Sequence, residues 1–247
     1  MGQNKVMQPN LSAPADQRKP NLTEQVMEHV RTSVISGTMA PGEWYSVYQL
    51  ADQLNFSRSP VRDGLLRLEE AGLIQFVKNR GFRVIPTTPA DVAEIFSIRI
   101  ALEVPAARRA ARAGGAACLA ELRAAMDLAA ADDNEELFFQ LDRDLHDAIL
   151  VAGEARRARE VIDRLRSATR LLGASTAVSH RGYEDITREH DPILEAIGRG
   201  DEEAAGRAMR EHLISTGRLL VDQALQRTGG SEDADELWDR LTAGYLS

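Results

Sequence analysis

At 247 residues the chain is longer than a typical single domain, and a module of roughly 65 residues would leave enough chain for a second hydrophobic core. The net charge of −8 is unevenly spread: residues 21–85 hold seven basic and seven acidic side chains and residues 86–247 hold 20 and 30, which excludes nucleic-acid binding by charge in the second part. No apolar run is long enough to span a bilayer, nothing at the N-terminus resembles a secretory signal, and the one cysteine, Cys118, has no internal partner, so a reducing cytoplasm is the expected compartment.

Residues 1–20 are polar and aperiodic and read as a disordered tail. A first helix follows, with Val26, Val30 and Val34 on its inner stripe and a stop at Gly37. Ser46 and Gln49 form a capping-box pattern that opens a short helix with Leu50, Ala51 and Leu54 inward. Asn55 tolerates the left-handed conformation of a turn, Ser57 is a good N-cap, and Pro60 falls in the first turn of a third helix, where its missing N–H is no loss.

In that third helix, SRSPVRDGLLRLEEAGL, Val61, Leu65 and Leu68 bury one face while Arg58, Ser59 and Arg62 stay outside. Arg58 and Arg62 stand one turn apart near the helix N-terminus, the placement that lets guanidinium groups reach phosphates and guanine edges. The segment LIQFVKNRGFRVI reads as a hairpin tipped by Lys78, Asn79, Arg80 and Gly81, a basic wing. Residues 21–86 therefore read as a winged helix-turn-helix of three helices plus a β-hairpin, with Tyr48, Ser57, Arg58, Ser59, Arg62, Lys78 and Arg80 as candidate contacts to double-stranded DNA.

Pro86 to Pro89 forms a linker, and Thr88 with Asp91 caps the next helix. From there the pattern is helical throughout, with helices over 89–113, 116–131, 134–152, 154–173, 184–198 and 202–227, giving an all-α bundle of six or seven helices over residues 87–228. The acidic, glycine-led stretch 229–247 reads as a mobile tail with one amphipathic turn around Leu237, Trp238 and Leu241.

Polar residues fall where the bundle pattern calls for apolar ones. Asp142 and His146 share a stripe with Phe138, Leu145 and Ile149; His190 shares a face with Ile193, Leu194 and Ile197; His212 shares one with Ala205, Ala208 and Met209. Gly198, Arg199 and Gly200 make the hairpin turn between the last two helices, and His190 and His212 lie ~12 Å and ~15 Å from it along their helices, at nearly one level. One carboxylate and three imidazoles can thus converge, a set suited to a divalent transition ion such as zinc, with nickel or manganese as alternatives. His29 and His180 read as surface residues. Arg99 lies on the buried stripe of Val92, Ile95, Leu102 and Ala106, where it either pairs with Glu103 or clamps the carboxylate of a small effector.

The stretch Leu22 to Val84, with PGEW, LADQLNFSRSPVRDGLLRLEEAGLI and NRGFRV, resembles the DNA-binding domain of the GntR family of bacterial transcription regulators. The remainder, with DVAEIFSIRIALE, DRDLH and EHDPILEAIGRGDEEAAGRAMREHL, resembles the FCD effector domain of its FadR-like subfamily. The resemblance implies a homodimer on a palindromic operator, recognition helices in major grooves, wings toward minor grooves, and a metal held by Asp142, His146, His190 and His212 beneath a pocket for a small organic acid. Two positions depart from the family pattern. Val47, Tyr48 and Gln49 stand where relatives often carry an arginine or glutamate, and Leu145 stands where an aromatic commonly precedes the histidine. The function expected is a ligand-responsive repressor. The rival readings are a metalloenzyme with an appended DNA-binding domain, against which no HExxH motif is present, and a constitutive regulator stapled by a structural metal.

Overall fold

Val26 and Val30, one turn apart and both fully buried, give α1 (Leu22–Ile35) the apolar stripe on which the first domain is built. The computed structural model describes residues 21–70, 72–77, 80–114, 117–171 and 182–246; the expected tail over 1–20, Lys78, Asn79 and His180 lie outside them. Asn21 and Glu24 cap α1 reciprocally, and the chain leaves it through Gly37 in the left-handed region (φ 74°). α2 (Val47–Leu54) begins behind Ser46, whose Oγ accepts from the Tyr48 N–H at 3.2 Å, and ends at Asn55, also left-handed (φ 53°). That single residue turns the chain directly into α3 (Arg58–Glu70), which buries Val61, Leu65 and Leu68 and packs on α1 and α2.

The wing is the antiparallel pair β2 (Ile74–Val77) and β3 (Gly81–Val84), with Phe76 opposite Phe82. A two-residue strand, β1 (Trp44–Tyr45), completes a sheet of order β1-β3-β2, with Trp44 opposite Arg83. Gly81 is required here: its φ is 103°, and a Cβ would meet the Tyr45 carbonyl oxygen at 2.2 Å.

Thr88 and Asp91 cap α4 (Pro89–Arg112) reciprocally. α5 (Ala117–Ala131), α6 (Glu135–Ala152), α7 (Arg156–Leu171), α8 (Tyr183–Gly198) and α9 (Glu202–Thr228) follow, close to the expected boundaries. α4 is the central element, touching α6, α7, α8 and α9, and its partnership with α9 is the most extensive in the bundle. Their apolar faces form one continuous core that includes Phe96, Ile100, Leu145, Ile193, Met209 and Leu213. α7 is anchored more lightly, on a small separate cluster of Ala106, Leu150, Ala155 and Ile162.

The C-terminal stretch corrects the expectation of a mobile tail. Residues Ala234–Leu246 form α10, which packs on α4 and α9 and is the seventh helix of the bundle among the described residues. Leu237, Trp238 and Leu241 do lie on one stripe, but the stripe is docked: Trp238 is fully buried, 6.3 Å from the Phe96 ring. Gly217 on α9 provides the socket, since a Cβ there would sit 2.3 Å from the indole. The acidic residues that suggested a solvated tail are partly paired, Asp235 and Asp239 with Arg218 at 3.0 and 2.7 Å. Among the described residues, no helix is long and apolar enough to cross a membrane.

Candidate DNA-binding surface and buried histidine centre

The outer face of α3 carries Ser59 and Arg62, with Ser57 and Arg58 at its start, and all four are exposed. Ser59 lies opposite the buried stripe of Val61, Leu65 and Leu68, Arg62 lies at its flank, and Ser57 and Arg58 project from the helix start. Arg58 is not a free side chain: its guanidinium lies 4.1 Å from the centroid of the Tyr48 ring on α2, and Tyr48 is 58% exposed. In the wing, the Arg80 guanidinium lies 4.4 Å from the Trp44 ring and that of Arg83 lies 5.4 Å from it, while Arg83 also donates to Gln75 Oε1 at 3.0 and 2.7 Å. α3, the N-terminus of α2 and the wing thus each present basic or aromatic groups to solvent. β1 and its Trp44 are the part of this surface that sequence reasoning missed, because two residues are too few for alternation to be read.

In the helical domain the structure brings together the four residues expected at the centre. One ring nitrogen each of His146, His190 and His212 lie within 4.8 Å of one another, and the His190 and His212 ring centroids are 4.4 Å apart. All three residues are buried. Asp142 sits at the edge, its Oδ1 3.2 Å from His190 Nε2 and its Oδ2 held by Arg166.

Each imidazole is oriented through its other nitrogen. His146 Nδ1 donates to Glu103 Oε2 at 2.5 Å, His190 Nδ1 to the Ile186 carbonyl at 2.9 Å, and His212 Nδ1 to Glu189 Oε2 at 3.3 Å. A neutral ring with Nδ1 protonated presents a lone pair at Nε2. His146 and His190 turn their Nε2 atoms toward each other at 3.3 Å. Two lone pairs facing one another are stabilised only by a positive species between them, so the donor set suits a divalent transition ion.

The electrostatics agree. Burial, assisted by the nearby Arg166 charge and opposed by Glu103, lowers His146 to about 4, so the ring is neutral near pH 7. Burial and the neighbouring His190 and His146 likewise hold His212 well below the usual imidazole range. For Asp142 burial acts upward, but Arg166 with the His190 and His146 rings outweighs it and keeps the carboxyl well below the ordinary range. Glu103 is also lowered: its burial is outweighed by Arg99 and His146.

Arg99 is placed in the ion pair with Glu103, Nε to Oε1 2.7 Å, with its guanidinium 4.8 Å from the Phe96 ring. It therefore acts on the centre through Glu103. A second buried arginine, Arg166, borders open space. It lines a cleft of ≈ 560 Å³ between α6 and α7, together with His146, Arg143, Asp147 and Arg159. Among the described residues its Nη1 is buried without a hydrogen-bond partner, a donor left available. Arg166 stands four residues after the buried Ile162, but Arg159, three residues before Ile162, shares that face, so spacing alone does not single Arg166 out.

Residues 22–84 match the model of the bacterial regulatory proteins, gntR family, and residues 94–215 match the FCD domain. The chain belongs to the GntR family, with a GntR-type DNA-binding domain followed by an FCD domain. It is similar to the HTH-type transcriptional repressor RspR of Escherichia coli (strain K12), 29% identical over 199 residues that span 78% of this chain and 86% of RspR. It is also similar to the Glc operon transcriptional activator of the same strain, 29% identical over 240 residues spanning 85% and 93% of the two chains. Two solved structures share its fold. E. coli McbR/YncC has a TM-score of 0.65 at 23% identity over 83% of this chain and 99% of that one, and a GntR transcriptional regulator from Rhodococcus sp. RHA1 has a TM-score of 0.60 at 24% identity over 86% and 100%. The protein is a DNA-binding transcription regulator. α10 lies beyond the FCD match, which ends at residue 215.

Proposed function

We propose that this regulator is metal-dependent and ligand-responsive, of the FadR-like type: a homodimer that binds a palindromic operator and is released from it, as a repressor, by a small organic acid. The observation that carries the metal assignment is the facing pair of Nε2 atoms on His146 and His190, with His212 beside them and every Nδ1 already committed to an acceptor. His146, His190 and His212 would hold the ion, with Asp142 completing the set; zinc fits these donors, and nickel or manganese are the alternatives. When bound, the ion would supply positive charge beside His146, which lines the cleft, and open positions for an anionic ligand.

Arg166 supports the carboxylate part of the reading. Its side chain lines the same cleft as His146 and its Nη1 has no hydrogen-bond partner among the described residues, so an anion entering the cleft can meet a guanidinium beside His146. Arg99, committed to Glu103, orients His146 instead. On the DNA side, Arg58 and Arg62 would reach into the major groove, with Ser57 and Ser59 on the flanking backbone and Lys78 and Arg80 of the wing toward the minor groove. The two domains are coupled by linkage: an effector that prefers one arrangement of the dimer shifts the spacing of its recognition helices. RspR is a repressor and the Glc operon protein an activator, and release from DNA follows the former pattern.

The test is elemental analysis and calorimetric zinc titration of the purified protein. One tight site per chain is expected, abolished in His190→Ala, with operator affinity then measured against sugar acids, hydroxy acids and dicarboxylates. No metal at any loading removes the centre from the mechanism. Metal that raises the melting temperature while no acid alters DNA affinity makes the site a structural staple.

A further inference from the structure

We infer that Tyr48 is a positioning residue for Arg58, holding its guanidinium by ring stacking rather than contacting DNA phosphate through its own hydroxyl. The inference rests on the reading of Arg58 as a DNA-contacting side chain. Its geometry comes from two different helices: Arg58 is the first residue of α3, Tyr48 the second of α2, and the turn at Asn55 sets the guanidinium 4.1 Å from the ring centroid.

An arginine at the first position of a helix is badly placed for the isolated domain. The helix dipole puts partial positive charge there and disfavours a cation. A long flexible side chain on a surface also loses rotamer entropy whenever it is ordered. The negative face of an aromatic ring answers both problems, attracting the cation and restricting its rotamers before DNA arrives. Stacking uses the flat face of the guanidinium and leaves its in-plane N–H donors available, the edge that pairs with guanine O6 and N7.

Among the described residues Tyr48 has no other visible task. It is 58% exposed, absent from the apolar core of the first domain, and its backbone N–H is already used by the Ser46 cap. Arg62, one turn along α3, is exposed with no aromatic ring stacked on it among the described residues. The two arginines therefore differ: Arg58 is held in one direction, and Arg62 is adaptable. The braced arginine is the one expected to discriminate sharply at a base.

The experiment uses the full-length protein and a duplex that the wild-type protein selects from a randomised library, with a scrambled duplex as reference. Affinities are compared for Tyr48→Phe, Tyr48→Ala, Arg58→Ala and the Tyr48→Ala/Arg58→Ala double variant, with thermal melts to confirm folding. Tyr48→Phe keeps the ring and should match wild type on the selected duplex. Tyr48→Ala should lose about two- to fivefold there and nothing on scrambled DNA. The double variant should be no weaker than Arg58→Ala alone. Equal losses for Tyr48→Phe and Tyr48→Ala, or a Tyr48→Ala loss of the same size on scrambled DNA, would overturn the proposal in favour of a phosphate contact. If Arg58→Ala is defective but the double variant is additive, the positioning role alone fails; if Arg58→Ala binds like wild type, the DNA-facing reading of Arg58 fails with it.

Discussion

Glu103→Gln is the sharpest probe of the buried centre, because Glu103 neutralises one buried charge and orients one imidazole at the same time. Its carboxylate accepts from Arg99 at 2.7 Å on one oxygen and from His146 at 2.5 Å on the other, and the side chains of Arg99 and Glu103 are only 5% and 1% exposed. The amide keeps the shape and removes the charge, leaving a guanidinium in a low-dielectric interior where Arg166 adds further repulsion. Breaking a buried pair from one side costs about 3–5 kcal/mol. Replacing both members by methionine removes the charge problem and leaves only the His146 Nδ1 donor unsatisfied, at about 1–3 kcal/mol. Urea denaturation of chelator-treated protein at neutral pH measures both variants without metal linkage. A Glu103→Gln loss under about 1 kcal/mol, or an Arg99→Met/Glu103→Met protein as unstable as the sum of its single variants, would refute the ion-pair account.

Protonation offers a second test. His146 titrates at about 4 in the folded protein, against an ordinary value near 6.5, so between those values only the unfolded chain takes up the proton. Stability of the metal-free protein should therefore fall as pH is lowered from about 6.5 to 4, by on the order of 3 kcal/mol from His146 alone. His212 contributes in the same direction, and a melting temperature that is level or rises across this window contradicts the burial of neutral imidazoles. Arg62→Ala should weaken specific binding by about 1–3 kcal/mol if it reads a base, whereas equal loss on scrambled DNA assigns it to phosphate. Trp238→Ala should destabilise the bundle by about 3–5 kcal/mol, since the indole is fully buried against Phe96 and Gly217; an unchanged denaturation midpoint would mean that α10 is not docked in solution.

Much of this architecture was legible because helices carry their own periodicity. Val26 and Val30, Leu65 and Leu68, and the His190 and His212 faces were placed correctly from spacing alone, since a stripe that repeats every 3.6 residues needs no knowledge of its partner. The convergence of His190 and His212 follows from their similar distances to the turn at Gly198–Gly200, because a helical hairpin fixes relative height through its rise per residue. What escaped was long-range. Arg166 is one of several arginines on α7 until its contact with Asp142 is known, and Glu189 draws attention only once His212 is seen facing it. The docking of α10 needed the socket at Gly217, a residue whose role is invisible until the indole is above it. Acidic composition predicts a solvated segment there, but the Leu237–Trp238–Leu241 stripe docks, and the ion pairs with Arg218 explain why charge does not keep it in solvent.

The claim on which the regulatory reading turns is that the cleft at Arg166 and the histidine centre communicate with the DNA-binding surface. It is tested most directly by measuring operator affinity of zinc-loaded wild type and Arg166→Gln across a panel of small carboxylates at fixed salt. At least one acid is expected to lower wild-type affinity by about 5–150-fold, the usual range of a coupling free energy, and to leave Arg166→Gln unmoved. Wild-type affinity unchanged by every acid, or a response that survives intact in Arg166→Gln, would contradict it.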